Sequence, residues 1–461
     1  MKRFLWLFIL IFVTAAAKPA AADTRVIVRD TLGSVAMNIA CSLLGCNVQR
    51  GLGDPGGQLF LVTFPDPLDP ALSIAQLLTL PGITAVEIDQ VVNVQGGATA
   101  TAPPPALYDN APMDYYGTTV RHGYVYQPAN QIIRTLETQS QFGTAGAGIV
   151  AVIDTGVDTT HPVLQPVVVP GYDFVHNTNN ADEKGDIDQS TEAVLDSDSG
   201  QPCRVNQSTE AVLDQSTEAV LDGNPAYAAF GHGTMISGVV HLVAPQAQIM
   251  PLKAFRADGT GYASDVLRAI YYAASHNAKV INMSFSFAQP SPELKNAIDY
   301  ATNRGLVSVA AAGNDGLQTT VYPAGLKNVM GIASTDNYDV RSSFSNYGSS
   351  LVWVAAPGEG VVTVYPFGHY AAAWGTSFST PFVSGTSSLL VGVSPIVNAS
   401  IAQSAISHAK SVNDPGLHYG RLDTYQAVQN WWLAVAQCSL LCPVNSVNYR
   451  SNTLSLSLSL H

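Results

Sequence analysis

Short runs of apolar, largely β-branched residues recur along this chain and alternate with stretches of helical periodicity. The runs fall at 149–153, 247–252, 280–283, 306–311 and 329–333, and helical stretches include 264–276 and 291–304. A strand that is apolar at every position is typical of a parallel sheet covered on both faces. The alternation therefore predicts an α/β fold, a doubly wound parallel sheet with helices on both faces and functional groups at the carboxyl ends of its strands.

Three glycine-flanked segments place reactive side chains at the end of a strand or the start of a helix. Asp154 follows the first apolar run in Ile-Asp-Thr-Gly, and His232 lies in Gly-His-Gly-Thr before a helix predicted over 235–243. Ser377 lies in Gly-Thr-Ser and begins a helix predicted over 377–390. Alone, each has a structural explanation: a turn aspartate, a buried histidine or an N-cap serine. Together they supply the carboxylate, imidazole and hydroxyl that acyl transfer requires.

The order Asp, His, Ser in these settings resembles the subtilisin-like serine proteases. Further matching segments lie at 313–315, 344–348, 356–358 and 419–423, so the resemblance covers 131–428. It implies that Ser377 is the nucleophile, His232 the base and then the acid, and Asp154 the residue that orients the imidazole. It also implies that Asn314 and the Ser377 amide are the oxyanion donors. Pro381 is expected in the first turn of the Ser377 helix.

The same resemblance assigns substrate contacts. Gly259-Thr260-Gly261 and Ser284-Phe285-Ser286 would pair with the substrate backbone, and Ala311-Ala312-Gly313 would form one wall of the main specificity pocket. Small residues on that wall predict a preference for large, uncharged residues immediately before the cleaved bond. Tyr322-Pro323 matches a family turn in which a cis proline is expected.

The N-terminus predicts export. Lys2 and Arg3 precede an apolar run over 4–13 and small residues that end at Ala22, which is typical of a signal peptide over 1–22. That run is shorter than the roughly 20 residues of a bilayer span, although an uncleaved anchor stays an alternative.

Five cysteines would then meet an oxidising compartment. The simplest hypothesis is local pairing of Cys41 with Cys46 and of Cys438 with Cys442. It leaves Cys203 without a disulfide partner. A spacing of one helical turn disfavours the second pair if both cysteines lie on one helix.

Residues 23–95 predict a small α+β domain with an antiparallel sheet. Strands are expected at 26–28, 59–64 and 85–94, with helices at 32–44 and 71–80. The resemblance implies a ferredoxin-like propeptide that assists folding and inhibits the enzyme until removed, and a permanent N-terminal domain is the alternative. Residues 96–126, rich in Ala, Thr, Pro and Gly, predict a linker with a processing site.

Two features depart from the family pattern. The stretch from His232 to Pro245 is too short for the calcium loop that some members carry there, so we expect no cofactor, with structural calcium elsewhere left open. The insertion over 189–222 contains the octapeptide QSTEAVLD at 189–196, 207–214 and 215–222. We expect an exposed low-complexity loop, with a calcium-binding or partner-binding element as the alternative. Residues 431–461 form an extension without a family match, including an apolar stretch over 431–441 expected to be a buried or docking helix.

Charge limits the partners. The chain has 21 Lys and Arg against 34 Asp and Glu, a net charge of −13, which argues against nucleic acid and anionic membranes as partners.

Taken together, the motifs, the resemblance and the N-terminal pattern predict a secreted, extracellular, monomeric serine endopeptidase with its catalytic domain at 127–430. It would be made as a self-processed precursor, inhibited by its own propeptide, and would hydrolyse proteins or peptides through an acyl-enzyme. A maturation protease of narrow specificity and a non-catalytic binding protein on this scaffold are the alternatives.

Overall fold

A computed structural model describes residues 23–65, 69–94, 102–187, 203–205, 211–213 and 225–441. The chain divides into two compact units, Met1–Gln90 and Val91–His461. The predicted signal peptide, Cys442, the first and third octapeptide copies and the tail beyond Leu441 lie outside the described residues.

The described part of the first unit is a four-stranded antiparallel sheet with two helices. Its elements are β1 (Thr24–Asp30), α1 (Ser34–Leu44), β2 (Asn47–Gly51), β3 (Leu59–Phe64), α2 (Pro70–Leu77) and β4 (Ile83–Ile88). The strand order is β2-β3-β1-β4, the ferredoxin-like βαββαβ arrangement. A disulfide joins Cys41 to Cys46, which confirms the local pairing predicted for these two cysteines.

Two details of this unit differ from the prediction. The edge strand β2 has no strong apolar signal, because its residues alternate between exposed and half-buried positions. The strand predicted over 85–94 is broken: β4 ends at Ile88, and a separate strand β5 (Val91–Asn93) follows in the second unit. The break coincides with Asp89, a buried carboxylate that forms an ion pair with Arg25 at 2.7 Å.

The described part of the second unit is built on seven parallel strands in the order β17-β16-β15-β14-β8-β12-β9. The strands after β5 are β6 (Pro112–Tyr115), β7 (Thr118–Arg121), β8 (Ile149–Asp154), β9 (Tyr172–Asp173), β10 (Cys203–Val205), β11 (Ala211–Leu213), β12 (Gln248–Lys253), β13 (Thr260–Tyr262), β14 (Ala278–Met283), β15 (Val307–Ala311), β16 (Val329–Thr335), β17 (Val354–Pro357), β18 (Val361–Tyr365) and β19 (His369–Ala373). The five apolar runs all lie in this sheet, as predicted.

Helices surround the sheet, which confirms the predicted α/β fold. They are α3 (His122–Val125), α4 (Pro128–Ile132), α5 (Thr135–Phe142), α6 (His232–Val243), α7 (Ala263–Ser275), α8 (Pro292–Asn303), α9 (Thr376–Val393), α10 (Ala399–Ile406) and α11 (Thr424–Leu441). Helices α6 and α9 pack against each other and against the sheet, and so do α7 and α8. The Tyr322-Pro323 bond is cis, as expected. Among the described residues, no helix combines the length and apolarity needed to cross a membrane.

The segment predicted as a linker is, from residue 102 onward, largely part of this core. It contains a 3₁₀ turn (Pro105–Tyr108), the β6–β7 hairpin and α3. The buried hydroxyls of Tyr115 and Tyr124 donate to the backbone carbonyls of Leu242 and Gly238, each at 2.6 Å. The linker prediction was wrong here because it was based on the proline-rich composition. It gave no weight to the tyrosines of this segment, which contact α6.

The repeat-bearing insertion contributes a strand to the β18–β19 hairpin. Residues 211–213 of the second octapeptide copy pair with Ala371–Ala373 in antiparallel register, and β10 pairs with β11. Both sides of the insertion are tied to Ala257, whose N–H donates to Asp186 Oδ2 at 2.8 Å and whose carbonyl accepts the N–H of Ala229 at 2.7 Å. Further on, α11 docks through Trp431, whose indole N–H donates to Leu390 O at 3.1 Å.

Candidate active site

Three neighbouring strands, β15, β14 and β8, bring the predicted site residues to one edge of the sheet. Asp154 is the last residue of β8, Ser284 directly follows β14, and Asn314 comes three residues after β15 ends. Because these strands are parallel and adjacent, their carboxyl ends meet at the same edge. The sheet therefore gathers side chains that are far apart in the sequence.

Asp154 and His232 form a buried pair. His232 is the first residue of α6, and its Nδ1 lies 2.7 Å from Asp154 Oδ1, which also accepts the N–H of Thr155 at 2.8 Å. The Asp154 carboxylate favours the tautomer that carries its proton on Nδ1. The lone pair of Nε2 then points away from the carboxylate. Among the described residues, His232 Nε2 has no hydrogen-bond partner. The imidazole is thus oriented by one nitrogen and available through the other.

The glycine after His232 is required by close packing. A Cβ at Gly233 would lie 2.0 Å from the carbonyl oxygen of Gly156 and 3.2 Å from Asp154 Cβ. Any larger residue would push α6 away from the end of β8. Gly233 therefore allows α6 to lie close enough to the end of β8 for the imidazole to reach the carboxylate.

Ser377 is the second residue of α9, and its side chain is buried. The ring of the following Phe378 packs edge-on against the imidazole of His232, with the ring centres 5.6 Å apart. The hydroxyl of Ser377 donates to the carbonyl of Ser284 at 3.1 Å. An attack assisted by His232 would need that hydroxyl to turn away from Ser284 and toward Nε2, a contact that often tightens only when substrate binds.

The sequence predicted Pro381 in the first turn of α9, and this was wrong. The helix begins at Thr376, so Pro381 lies in its second turn. A proline there has no N–H for the carbonyl four residues earlier, which belongs to Ser377. The hydroxyl of Ser284 donates to that carbonyl at 2.9 Å. Ser284 therefore holds the candidate nucleophile from both sides, since its own carbonyl accepts the Ser377 hydroxyl.

The orientation of the Asn314 amide follows from Thr376. Asn314 Oδ1 accepts the backbone N–H of Thr376 at 2.9 Å and its hydroxyl at 2.8 Å, which identifies the opposite end as the NH₂ group. A Cβ built on Gly375 would lie 3.3 Å from that nitrogen. The NH₂ group thus lies beside the turn that leads into Ser377.

The predicted substrate-binding segments lie around these residues. Thr260 and Gly261 belong to β13, which pairs in antiparallel register with β5, and the carbonyl of Gly259 accepts the N–H of Val94 at 2.9 Å. The Ser284-Phe285-Ser286 segment follows β14, with the buried Phe285 ring 5.0 Å from that of Phe255. Ala311 ends β15, and the N–H of Gly313, which directly follows Ala312, donates to the hydroxyl of Thr376 at 3.2 Å.

A buried carboxylate behind the Asp154–His232 pair has no signal in the sequence. Glu183 is fully buried, and its partners Thr155, Gly231 and Thr234 come from two distant segments. Burial raises the pKa of the Glu183 carboxyl to about 7, against the opposing effect of the two threonine hydroxyls. Only the folded chain brings these groups together, so no local motif marks the residue.

Comparison with known proteins agrees with this geometry. Residues 146–424 match the model of the Subtilase family, which is more than half of the chain. A thermophilic serine proteinase of Bacillus sp. (strain AK1) is 36% identical over 312 residues, covering 67% of this chain and 68% of the relative. Thermitase of Thermoactinomyces vulgaris is 34% identical over 293 residues, covering 61% and 88%.

The fold is also that of a solved relative. The crystal structure of fervidolysin from Fervidobacterium pennivorans, a keratinolytic enzyme related to subtilisin, superimposes with a TM-score of 0.66 at 22% identity. The match covers 88% of this chain and 61% of fervidolysin, so this chain spans about three fifths of that protein. With the family match over most of the second unit, these likenesses establish that the chain belongs to the subtilase family of subtilisin-like serine proteases.

Proposed function

We propose that this protein is an extracellular serine endopeptidase that cleaves peptide bonds through an acyl-enzyme. The observation that carries the proposal is the 2.7 Å contact between Asp154 Oδ1 and His232 Nδ1, with Nε2 left without a partner among the described residues. Phe378, the neighbour of Ser377, packs against the same imidazole. A base and a nucleophile in this setting support acyl transfer.

The proposed reaction begins when the Ser377 hydroxyl attacks the scissile carbonyl carbon and His232 Nε2 takes its proton. Asp154 stabilises the imidazolium that forms. The oxyanion accepts hydrogen bonds from the Asn314 NH₂ group and the Ser377 N–H at the start of α9. His232 then protonates the leaving amine, and water releases the acyl group by the same steps in reverse.

A fluorophosphonate probe and casein test this proposal. We expect the processed protein to be labelled covalently and to degrade casein. Labelling without casein turnover would favour the maturation protease of narrow specificity. No labelling and no turnover would favour the non-catalytic binding protein.

The pairing of β5 with β13 supports a self-inhibited precursor. Residues 91–93 lie in antiparallel register along Thr260–Tyr262, and Val94 donates to Gly259, so this segment occupies the edge proposed for the substrate backbone. Self-cleavage would therefore occur beyond Val94. N-terminal sequencing of the exported protein should find a start between Val94 and Leu107, whereas a start near Asp23 would contradict the propeptide proposal.

Two adjacent valines allow a matched test of that inhibition. Val92 is 2% exposed and Val91 is 61% exposed. Val92→Asp would bury an unpaired carboxylate, so the segment should leave the cleft and its inhibition should weaken by about tenfold or more. We expect a larger fraction of active sites to be labelled at once by the fluorophosphonate in Val92→Asp, and no change in Val91→Asp. Equal labelling of both variants and of the wild type would contradict inhibition by this segment.

The small residues Ala311, Ala312 and Gly313 lead to a prediction about specificity. A panel of peptides that differ only in the residue before the cleaved bond should show higher kcat/KM for large uncharged side chains than for charged ones. The reason is that an open apolar wall favours apolar area and leaves a charge without a partner. A panel dominated by cleavage after Lys or Arg would overturn this prediction.

A further inference from the structure

We propose that Glu183 is a positioning residue for the reaction, because it holds the N-terminus of α6 and the turn after β8 in the register that joins His232 to Asp154. This inference rests on the proposed peptidase activity. Glu183 lies at the start of a 3₁₀ turn (Glu183–Asp186), outside the motifs that contain Asp154 and His232.

Both carboxylate oxygens of Glu183 bind the two segments that carry the pair. Oε1 accepts the N–H of Gly231 at 2.8 Å and the hydroxyl of Thr155. Oε2 accepts the hydroxyl of Thr234 at 2.6 Å and its N–H at 3.2 Å. One side chain thus connects the residue after Asp154 to the residues on either side of the His232-Gly233 pair.

The hydrogen-bonding groups around Glu183 favour an ionised carboxylate. The Thr155 hydroxyl accepts the N–H of Gly233 at 2.9 Å, and it lies nearer to Glu183 Oε1 than to its other acceptor, Asp154 Oδ1, at 3.3 Å. The Thr234 hydroxyl likewise accepts the N–H of Asp158 at 2.8 Å. Glu183 therefore faces two N–H donors and two hydroxyls, and an ionised carboxylate can accept a hydrogen bond from all four.

Helix α6 needs this external cap. Its N-cap residue, Gly231, has no side chain and so offers no side-chain acceptor to the first N–H groups of the helix. Glu183 and Thr155 accept those of Gly231, Gly233 and Thr234, and a negative charge is favoured at the positive end of the helix dipole. The cap therefore fixes the height and rotation of the turn that carries the imidazole.

Two charged groups act on Glu183 from the elements packed against it: Asp154 on β8 and Lys253 on β12. Asp154 raises the pKa of Glu183 and Lys253 lowers it, and burial is the largest effect. The ionised form consequently predominates above about pH 7, and protonation at lower pH removes one of the acceptors.

Glu183→Gln tests the proposal, with Glu293→Gln as the matched control. Glu293 is also a buried glutamate, 1% exposed, in the first turn of a helix, but it belongs to α8. At pH 9, per fluorophosphonate-titrated site, we expect Glu183→Gln to lower kcat about 10- to 100-fold with KM within about twofold, because a displaced base affects the reaction and not substrate binding. Glu293→Gln should match the wild type.

The pH profile distinguishes positioning from general loss of structure. On its acid side, kcat/KM of the wild type should show a fall of about 10- to 100-fold centred near pH 7, where Glu183 takes up a proton, and Glu183→Gln should lack that fall. Glu183→Asp keeps the charge and should recover part of kcat, and it serves as the test if Glu183→Gln does not fold. Wild-type kcat in Glu183→Gln, or no recovery in Glu183→Asp, would overturn the positioning role. An inactive wild type would instead overturn the proposed function.

Discussion

Replacing Ser377 with alanine should lower kcat for a peptide substrate by about 10⁶-fold, the loss that removal of the nucleophile causes in subtilisin. The expected size follows from the loss of the covalent path, because His232 and Asp154 have no hydroxyl left to activate. The substrate contacts proposed above lie on the backbone of β13 and of the segment after β14, which this substitution leaves unchanged, so KM should change little. The measurement is kcat and KM per molecule, with the protein quantified independently of activity.

Ser387→Ala is the matched control for this variant. Ser387 is a fully buried serine on the same helix, and its hydroxyl donates to the carbonyl of Val383 within α9 at 2.8 Å. It should keep wild-type kcat and fluorophosphonate labelling. Ser377→Ala should also accumulate as the unprocessed precursor if removal of the N-terminal segment is self-catalysed. Retained labelling in Ser377→Ala would mean that another residue is the nucleophile.

Asn314→Leu should lower kcat about 10²- to 10³-fold with little change in KM, as expected for the loss of one oxyanion donor. Leucine has nearly the same size but lacks both the NH₂ group beside Gly375 and the carbonyl oxygen of the amide. Asn314 also accepts two hydrogen bonds from Thr376, and Asn314→Asp keeps those acceptors while removing the donor. A comparable loss of kcat in both variants would assign the effect to the donor.

Asn130→Leu controls for the removal of a buried amide. Asn130 is fully buried, and its NH₂ group donates to Val125 O at 2.8 Å, away from the sheet edge that carries the site. We expect a lower melting temperature but unchanged kcat per titrated active site. If Asn314→Leu behaved in the same way, with stability reduced and kcat retained, Asn314 would not be an oxyanion donor.

Much of the fold could be predicted because its signals are local. The buried strands are continuous apolar runs. Strand β8 ends at Asp154 and β14 ends just before Ser284, each within one residue of the end of the predicted run. Weak local signals caused the errors. The edge strand β2 has mixed polarity, and the core aromatic residues of the 102–126 segment lie in a sequence rich in proline. Pro381 lies in the second turn of α9, where Ser284, from the segment after β14, donates the hydrogen bond that the proline cannot.

The same distinction holds for the candidate site. Asp154, His232 and Ser377 could be proposed because each lies in a short motif whose glycines are themselves required, as Gly233 shows through its contact with Gly156. Glu183 could not, since its role depends on Thr155, Gly231 and Thr234 meeting around it. The function proposed for such a residue depends on tertiary contacts. In the sequence it cannot be distinguished from any other polar residue.

The attachment of both ends of the insertion to Ala257 has a consequence for how this enzyme can diversify. With Asp186 bound to the N–H of Ala257 and Ala229 to its carbonyl, the chain leaves and re-enters the scaffold at one fixed point. Lengthening a loop whose ends are already held together costs little, about 0.6 kcal/mol for each doubling. Duplication of an octapeptide between those ends can therefore accumulate as neutral variation, and the same gap is a natural place to graft a new recognition module onto a protease.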